Sequence, residues 1–113
     1  MKHLFDYLTL INYCMEIKIE APWKLRSSLE NVINKKLMKL VTFNDRLIRA
    51  EVYLKSGDNI SPEDKGVEIT LSLPGPIIFA ESYAASHEIA VADCTKKLRR
   101  QIIKRKERLG SRA

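Results

Sequence analysis

The run from Asp93 to Leu109, DCTKKLRRQIIKRKERL, constrains this chain more than any other stretch. At about 100° per residue, Val91, Cys94, Thr95, Leu98, Ile102 and Leu109 fall on one side of a helix. Lys97, Arg100, Lys104 and Arg108 fall together on a second side, roughly opposite. An apolar helix face has to be covered, so the rest of the chain must supply a layer to receive it. The opposite face is a column of positive charge, which suits a polyanion, with RNA or DNA the first candidate. For one basic helix alone, a merely solvated face is an equally good reading, and the remaining sequence has to decide.

Net charge helps to decide it. The chain carries +6 overall, yet from Asp93 to Ala113 nine basic residues stand against two acidic ones. Everything before Asp93 is therefore close to neutral. Basicity confined to one stretch reads as a binding face more readily than as a solubility device. A length of 113 residues allows one domain with one core. Cys14 and Cys94 give neither a disulfide framework nor metal-ligand spacing, and they suit a reducing cytoplasm. No window approaches the ~18 apolar residues of a membrane span.

Residues 1–14 mix apolar and polar types, without the unbroken apolar centre of a signal peptide. They are expected to be an N-terminal extension, disordered or preceding the true start at Met15. From Met15 to Glu20 apolar and charged residues alternate, as in a half-buried strand, and Ala21-Pro22-Trp23 ends it. Lys24 to Leu40 is helical, with Ser27 or Ser28 as N-cap. Leu29, Val32, Ile33, Leu37 and Leu40 make its apolar stripe, and Lys24, Ser28, Asn31, Lys35 and Lys39 gather on its polar side. Lys36 borders the stripe and extends its stem along it.

Thr42 to Arg46 is a turn built on Asn44-Asp45. Leu47 to Lys55 alternates Ile48, Ala50, Val52 and Leu54 against Arg49, Glu51, Tyr53 and Lys55. A long loop, Ser56 to Gly66, separates it from a third strand at Val67–Leu73. Pro74-Gly75-Pro76 turns into a fourth strand at Ile77–Ala84. Ser86 caps a last helix running from about His87 to Leu109. The fold class is α+β, in the order β-α-β-β-β-α: a four-stranded sheet with two helices packed on one face, a dsRBD-like topology. Both helices should lie side by side, so their outward faces form one basic surface.

No catalytic constellation accompanies this fold. His3 and His87 have no serine elbow or cysteine partner placed by sequence, and Asp58, Glu63 and Asp64 lack the calcium-loop pattern. No enzyme activity, cofactor, metal or small-molecule substrate is expected. Trp23 is read as cover for one end of the core, and Tyr53 and Tyr83 as cross-strand packing rather than an RNA-stacking platform. A protein-interaction module that offers its basic helices to an acidic protein is the alternative to nucleic acid.

Four segments resemble pieces of the ribosome hibernation promoting factor family, also called the ribosome-associated inhibitor or sigma-54 modulation family. They are Lys36-Leu37-Met38-Lys39-Leu40, Val67 to Gly75, Phe79-Ala80-Glu81, and Leu98-Arg99-Arg100-Gln101-Ile102-Ile103-Lys104-Arg105-Lys106. In place of the family's Asp-x-Tyr-Ala-Ala-Ile-Asp opening of the last helix, this chain has Ser86-His87-Glu88-Ile89-Ala90-Val91-Ala92. The resemblance covers residues 15–109, leaves a short tail at 110–113, and looks like a short form without a second, dimerising domain. It implies a cytoplasmic, non-enzymatic α+β domain that is monomeric alone and silences translation under stress. Its partner would be the small ribosomal subunit and its rRNA, in the mRNA/tRNA channel near the decoding region. By position in the family, Lys36, Lys39, Arg100, Lys104 and Lys106 would contact rRNA phosphates. The helix projection adds Lys35, Lys97 and Arg108.

Overall fold

The elements run β1 (Glu16–Glu20), α1 (Ser27–Leu40), β2 (Arg49–Ser56), β3 (Lys65–Ser72), β4 (Ile78–Ala84) and α2 (His87–Arg112). This computed structural model describes residues 15–56 and 62–112, with side chains of α2 described as far as Glu107. The expectations for residues 1–14 and for the middle of the long loop lie outside the described residues.

The strands form one sheet in the order β1-β2-β3-β4. β1 runs parallel to β2, as a strand connected through a crossover helix does, and the other two pairings are antiparallel. The register Ala50↔Leu71, Val52↔Ile69 and Leu54↔Val67, continued by Ile69↔Ala80, places the apolar members of three strands on one face. All of these are buried. Leu29, Ile33, Leu37 and Leu40 of α1 descend onto that face, with Val91, Cys94, Leu98 and Ile102 of α2 beside them. Each fully buried Leu, Ile or Val contributes roughly 1.5–3 kcal/mol, which makes this layer the main source of stability. The α+β order and the single covered sheet face are as the alternation and helix periods require.

Local chemistry closes the elements. Ser86 Oγ accepts from the Ile89 backbone N–H at 3.2 Å, so the cap read for α2 forms. Asn44 Oδ1 accepts from the Arg46 N–H at 2.8 Å, the Asx turn that carries the chain from α1 to β2. Gly75 takes φ of +94°, a left-handed conformation that glycine adopts without a Cβ penalty between two prolines.

Four readings change. The N-cap of α1 is Arg26, with no side-chain cap, and Ser27 and Ser28 lie within the helix. Arg26 instead donates to Glu88 at 3.1 Å, tying the start of α1 to the start of α2. Ile48 is 58% exposed while Leu47 is buried, because the period of two begins only where the pleat begins, at Arg49. Lys65 and Gly66, read as loop, pair with Ser56 and Lys55 as the start of β3. α2 continues through the residues read as a tail, to Arg112.

Candidate nucleic-acid interface

α1 and α2 lie side by side on the sheet, and the solvent face of the pair collects the cations. Ser28, Asn31, Lys35 and Lys39 are all exposed, as the polar side of α1 should be, and Lys24, read as part of that side, is exposed in the segment before the helix. Lys36 is half-buried, its stem against the apolar stripe. On α2, Lys96, Arg99, Arg100, Lys104 and Lys106 are exposed.

Between the helices runs a cleft of about 350 Å³. Lys36, Lys39 and Phe43 line one wall, and Thr95, Lys96 and Arg99 the other. The Arg99 guanidinium carbon stands 5.6 Å from the centroid of the Phe43 ring. This contact lies within cation–π range and holds a planar donor at the end of the cleft. A second hollow, of about 450 Å³, continues past Phe43 to Arg46, Arg105 and Lys106. Arg105 is half-buried there, and its Nη1 has no hydrogen-bond partner among the described residues.

Ion pairing separates the two sides of the molecule. Among the described residues, none of Lys35, Lys36, Lys39, Lys96, Arg99, Arg100, Lys104 or Lys106 forms an ion pair. Among the described residues, every cation on the open sheet face is engaged. Arg49 pairs with Glu16 at 2.9 Å, Lys18 with Glu20 at 3.8 Å, and Lys55 with Glu68 and with Glu81. Among the described residues the free positive charge therefore lies on the helices and on Lys24 and Arg46 beyond the two ends of α1.

The sequence-selected residues divide accordingly. Lys36 and Lys39 enter the cleft, and Lys35 and Arg100 stand exposed on the helices. Lys106 lines the second hollow, and Lys104 faces a shallow recess with Ile78 and Gln101 beside β4. Lys97 turns away from the cleft, since its Nζ donates to the Glu81 carbonyl at 2.8 Å and pairs with Asp93 at 3.4 Å. The side chain of Arg108 lies outside the described residues. Lys96 and Arg99 were absent from the sequence-selected set. In projection they sit on the flank between the apolar side and the column of Lys97 and Arg100. Only the position of α1 turns that flank into a wall.

The remaining chemistry-bearing residues that are described make contacts within the fold. His87 Nε2 lies 2.8 Å from the Lys55 carbonyl, and its ring is stacked at a tilt 5.1 Å from Trp23. Trp23 is thus half cover and half exposed. Cys94 is fully buried, and burial pushes its thiol up to about 12. Asp93 is held below its ordinary value of 3.8, first by the Ser82 hydroxyl and then by Lys97. No described helix is long and apolar enough to cross a membrane.

Comparison with known proteins bears on the fold and the family. A ribosomal subunit interface protein from Coxiella burnetii superposes with a TM-score of 0.72 at 22% identity, covering 82% of this chain and 99% of that one. The N-terminal domain of Protein Y from Thermus thermophilus gives a TM-score of 0.66 at 21% identity, covering 80% of this chain and 96% of that one. At such identities both likenesses establish the fold. No curated protein matched the sequence. A family model matches residues 23–110, which takes in α1, β2, β3, β4 and all but the last two residues of α2, and the chain belongs to the family described as Sigma 54 modulation protein / S30EA ribosomal protein.

Proposed function

We propose that this protein is a non-enzymatic ribosome hibernation factor. It lays the two-helix face on rRNA of the small subunit, in the mRNA/tRNA channel near the decoding region, and thereby silences translation in the cytoplasm. The observation that carries this reading is the set of unpaired cations gathered on α1 and α2, with Lys36, Lys39, Lys96 and Arg99 facing one another across a cleft. Family membership and the neighbour's description as a ribosomal subunit interface protein support the same partner.

Unpaired lysines and arginines at the rim of a cleft suit a folded RNA backbone. Lysine supplies point charge to phosphate, and arginine adds planar bidentate contacts and stacking. Neutralising phosphates releases counterions, so affinity falls steeply with salt. For ~6 contacts the loss between 50 and 200 mM salt is roughly a thousandfold on a duplex-like lattice. Lys35, Lys36, Lys39, Arg100, Lys104 and Lys106, joined by Lys96 and Arg99, are the proposed phosphate contacts.

The test is co-sedimentation with purified small subunits over a salt series, with and without competing tRNA. Stoichiometric pelleting that tRNA displaces, and that Arg100→Glu/Lys104→Glu abolishes, upholds the reading. Absence of pelleting at low salt overturns it and turns attention to an acidic protein partner.

A further inference from the structure

The sheet face that no helix covers has a chemistry of its own. Register places Tyr53, Glu68 and Glu81 in one row across β2, β3 and β4, and Glu51, Thr70 and Phe79 in the next. Tyr83 lies over Gly66 in a third, where a Cβ would collide with its ring. Tyr53, Phe79 and Tyr83 are 37%, 47% and 49% exposed. Phe79 and Tyr83 stand about 13 Å apart along β4, with the Glu81 carboxylate between them, and Tyr53 is two strands away, about 10 Å.

Among the described residues, carboxylates outnumber cations on this face. Lys55 serves both Glu68 and Glu81, and Glu51 forms no ion pair among the described residues. Lys55 is held above its ordinary value by Glu68 first, and Glu81 below its own by Lys55, so the charges persist near neutral pH. A phosphate backbone approaching here would meet surplus negative charge and, among the described residues, no free cation. A cationic chain would meet carboxylates flanked by open aromatic faces, the pairing that guanidinium and ammonium groups prefer.

We infer that the open sheet face is a docking surface for an extended, arginine- and lysine-rich polypeptide segment, which lays its cations on the Tyr53, Phe79 and Tyr83 rings and on Glu51, Glu68 and Glu81. The molecule is then two-sided, with helices for a polyanion and sheet for a polycation. The inference concerns the face opposite the helices and stands independently of what the helices bind.

The experiment is an NMR titration of the whole protein with a synthetic dodecapeptide of alternating arginine and serine. A glutamate–serine peptide and a dodecamer of oligouridylate serve as comparisons. Saturable shifts confined to the β2–β4 rows with the arginine peptide are expected, and none there with the glutamate peptide. Phe79→Ser should weaken that binding about three- to fivefold, the loss of one cation–π contact. Glu51→Lys, a surface charge reversal that leaves the core intact, should weaken it as well. Shifts with the arginine peptide that miss these rows, or that survive both substitutions, overturn the inference. So do shifts of the aromatic rows by oligouridylate, which would make the face a base-stacking platform.

Discussion

The Lys97 ammonium donates to the backbone carbonyl of Glu81, 2.8 Å away, and one turn further along α2 the Gln101 Nε2 donates to the Phe79 carbonyl at 2.9 Å. β4 is an edge strand, so its outward carbonyls would otherwise be free to pair with another chain. Asp93, one turn before Lys97, accepts from Ser82 Oγ at 2.7 Å and completes the seam. A row of α2 side chains thus closes one edge of the sheet.

This seam gives Lys97 a different expected phenotype from its neighbours. Lys97→Met/Gln101→Ala should lower stability by about 0.5–1.5 kcal/mol per lost bond and promote concentration-dependent self-association. It should leave the salt slope of subunit binding nearly unchanged. Denaturant titration, sedimentation velocity and the co-sedimentation slope check the three parts.

Lys96 and Arg99 should behave in the opposite way. Both are exposed and free of ion pairs among the described residues, so Lys96→Gln or Arg99→Gln should leave the unfolding free energy from urea titration within about 0.5 kcal/mol of wild type. Each should reduce the magnitude of the salt slope of small-subunit binding by roughly one unit. Phe43→Leu, which removes the ring beneath Arg99, should reproduce part of the Arg99 loss of affinity, about 0.5–1 kcal/mol.

The junction of α2 with the sheet is the place to test the core. Leu98 is fully buried, and Leu98→Ala removes packing that no polar contact replaces. The expected cost is about 2–5 kcal/mol by urea denaturation, a large share of what a domain of this size can hold. Cys94 offers a probe on the same helix face. With its thiol buried and pushed up to about 12, its reaction with a thiol reagent should follow the global unfolding rate.

Acid should destabilise the protein in a predictable window. Glu81 lies below its ordinary 4.5 because of Lys55, and Asp93 below its ordinary 3.8 because of Ser82. A carboxyl depressed in the folded state stabilises fully above its unfolded value, and that contribution is lost as pH falls through the folded one. The melting temperature should therefore decline from about pH 5 downward. Glu81→Gln should lower it at pH 7 and flatten the decline, and circular dichroism melts across pH measure both.

Much of this architecture is written in local pattern. The alternation of Ala50, Val52 and Leu54, and of Val67, Ile69 and Leu71, forces strands whose apolar faces must be covered. The 3.6-residue recurrence of Leu29, Ile33 and Leu37, and of Val91, Cys94, Leu98 and Ile102, supplies the covering helices. Asn44 and Ser86 announce their own turn and cap, because both act within three residues of themselves.

What pattern alone could not decide depends on distant neighbours. A helix projection separates buried from exposed, but it does not say which exposed flank meets α1 and which meets the edge of β4. That choice turned Lys96 and Arg99 toward a cleft and Lys97 toward the Glu81 carbonyl. The capping of α1 failed likewise, since Arg26 found Glu88, 62 residues away. The sequence by itself determined the elements, their apolar faces and the helical location of the basic charge. The tertiary structure decided which cations stay free and which carboxylates accumulate on the open sheet, because ion pairing and edge capping are contacts between elements that local periodicity does not contain.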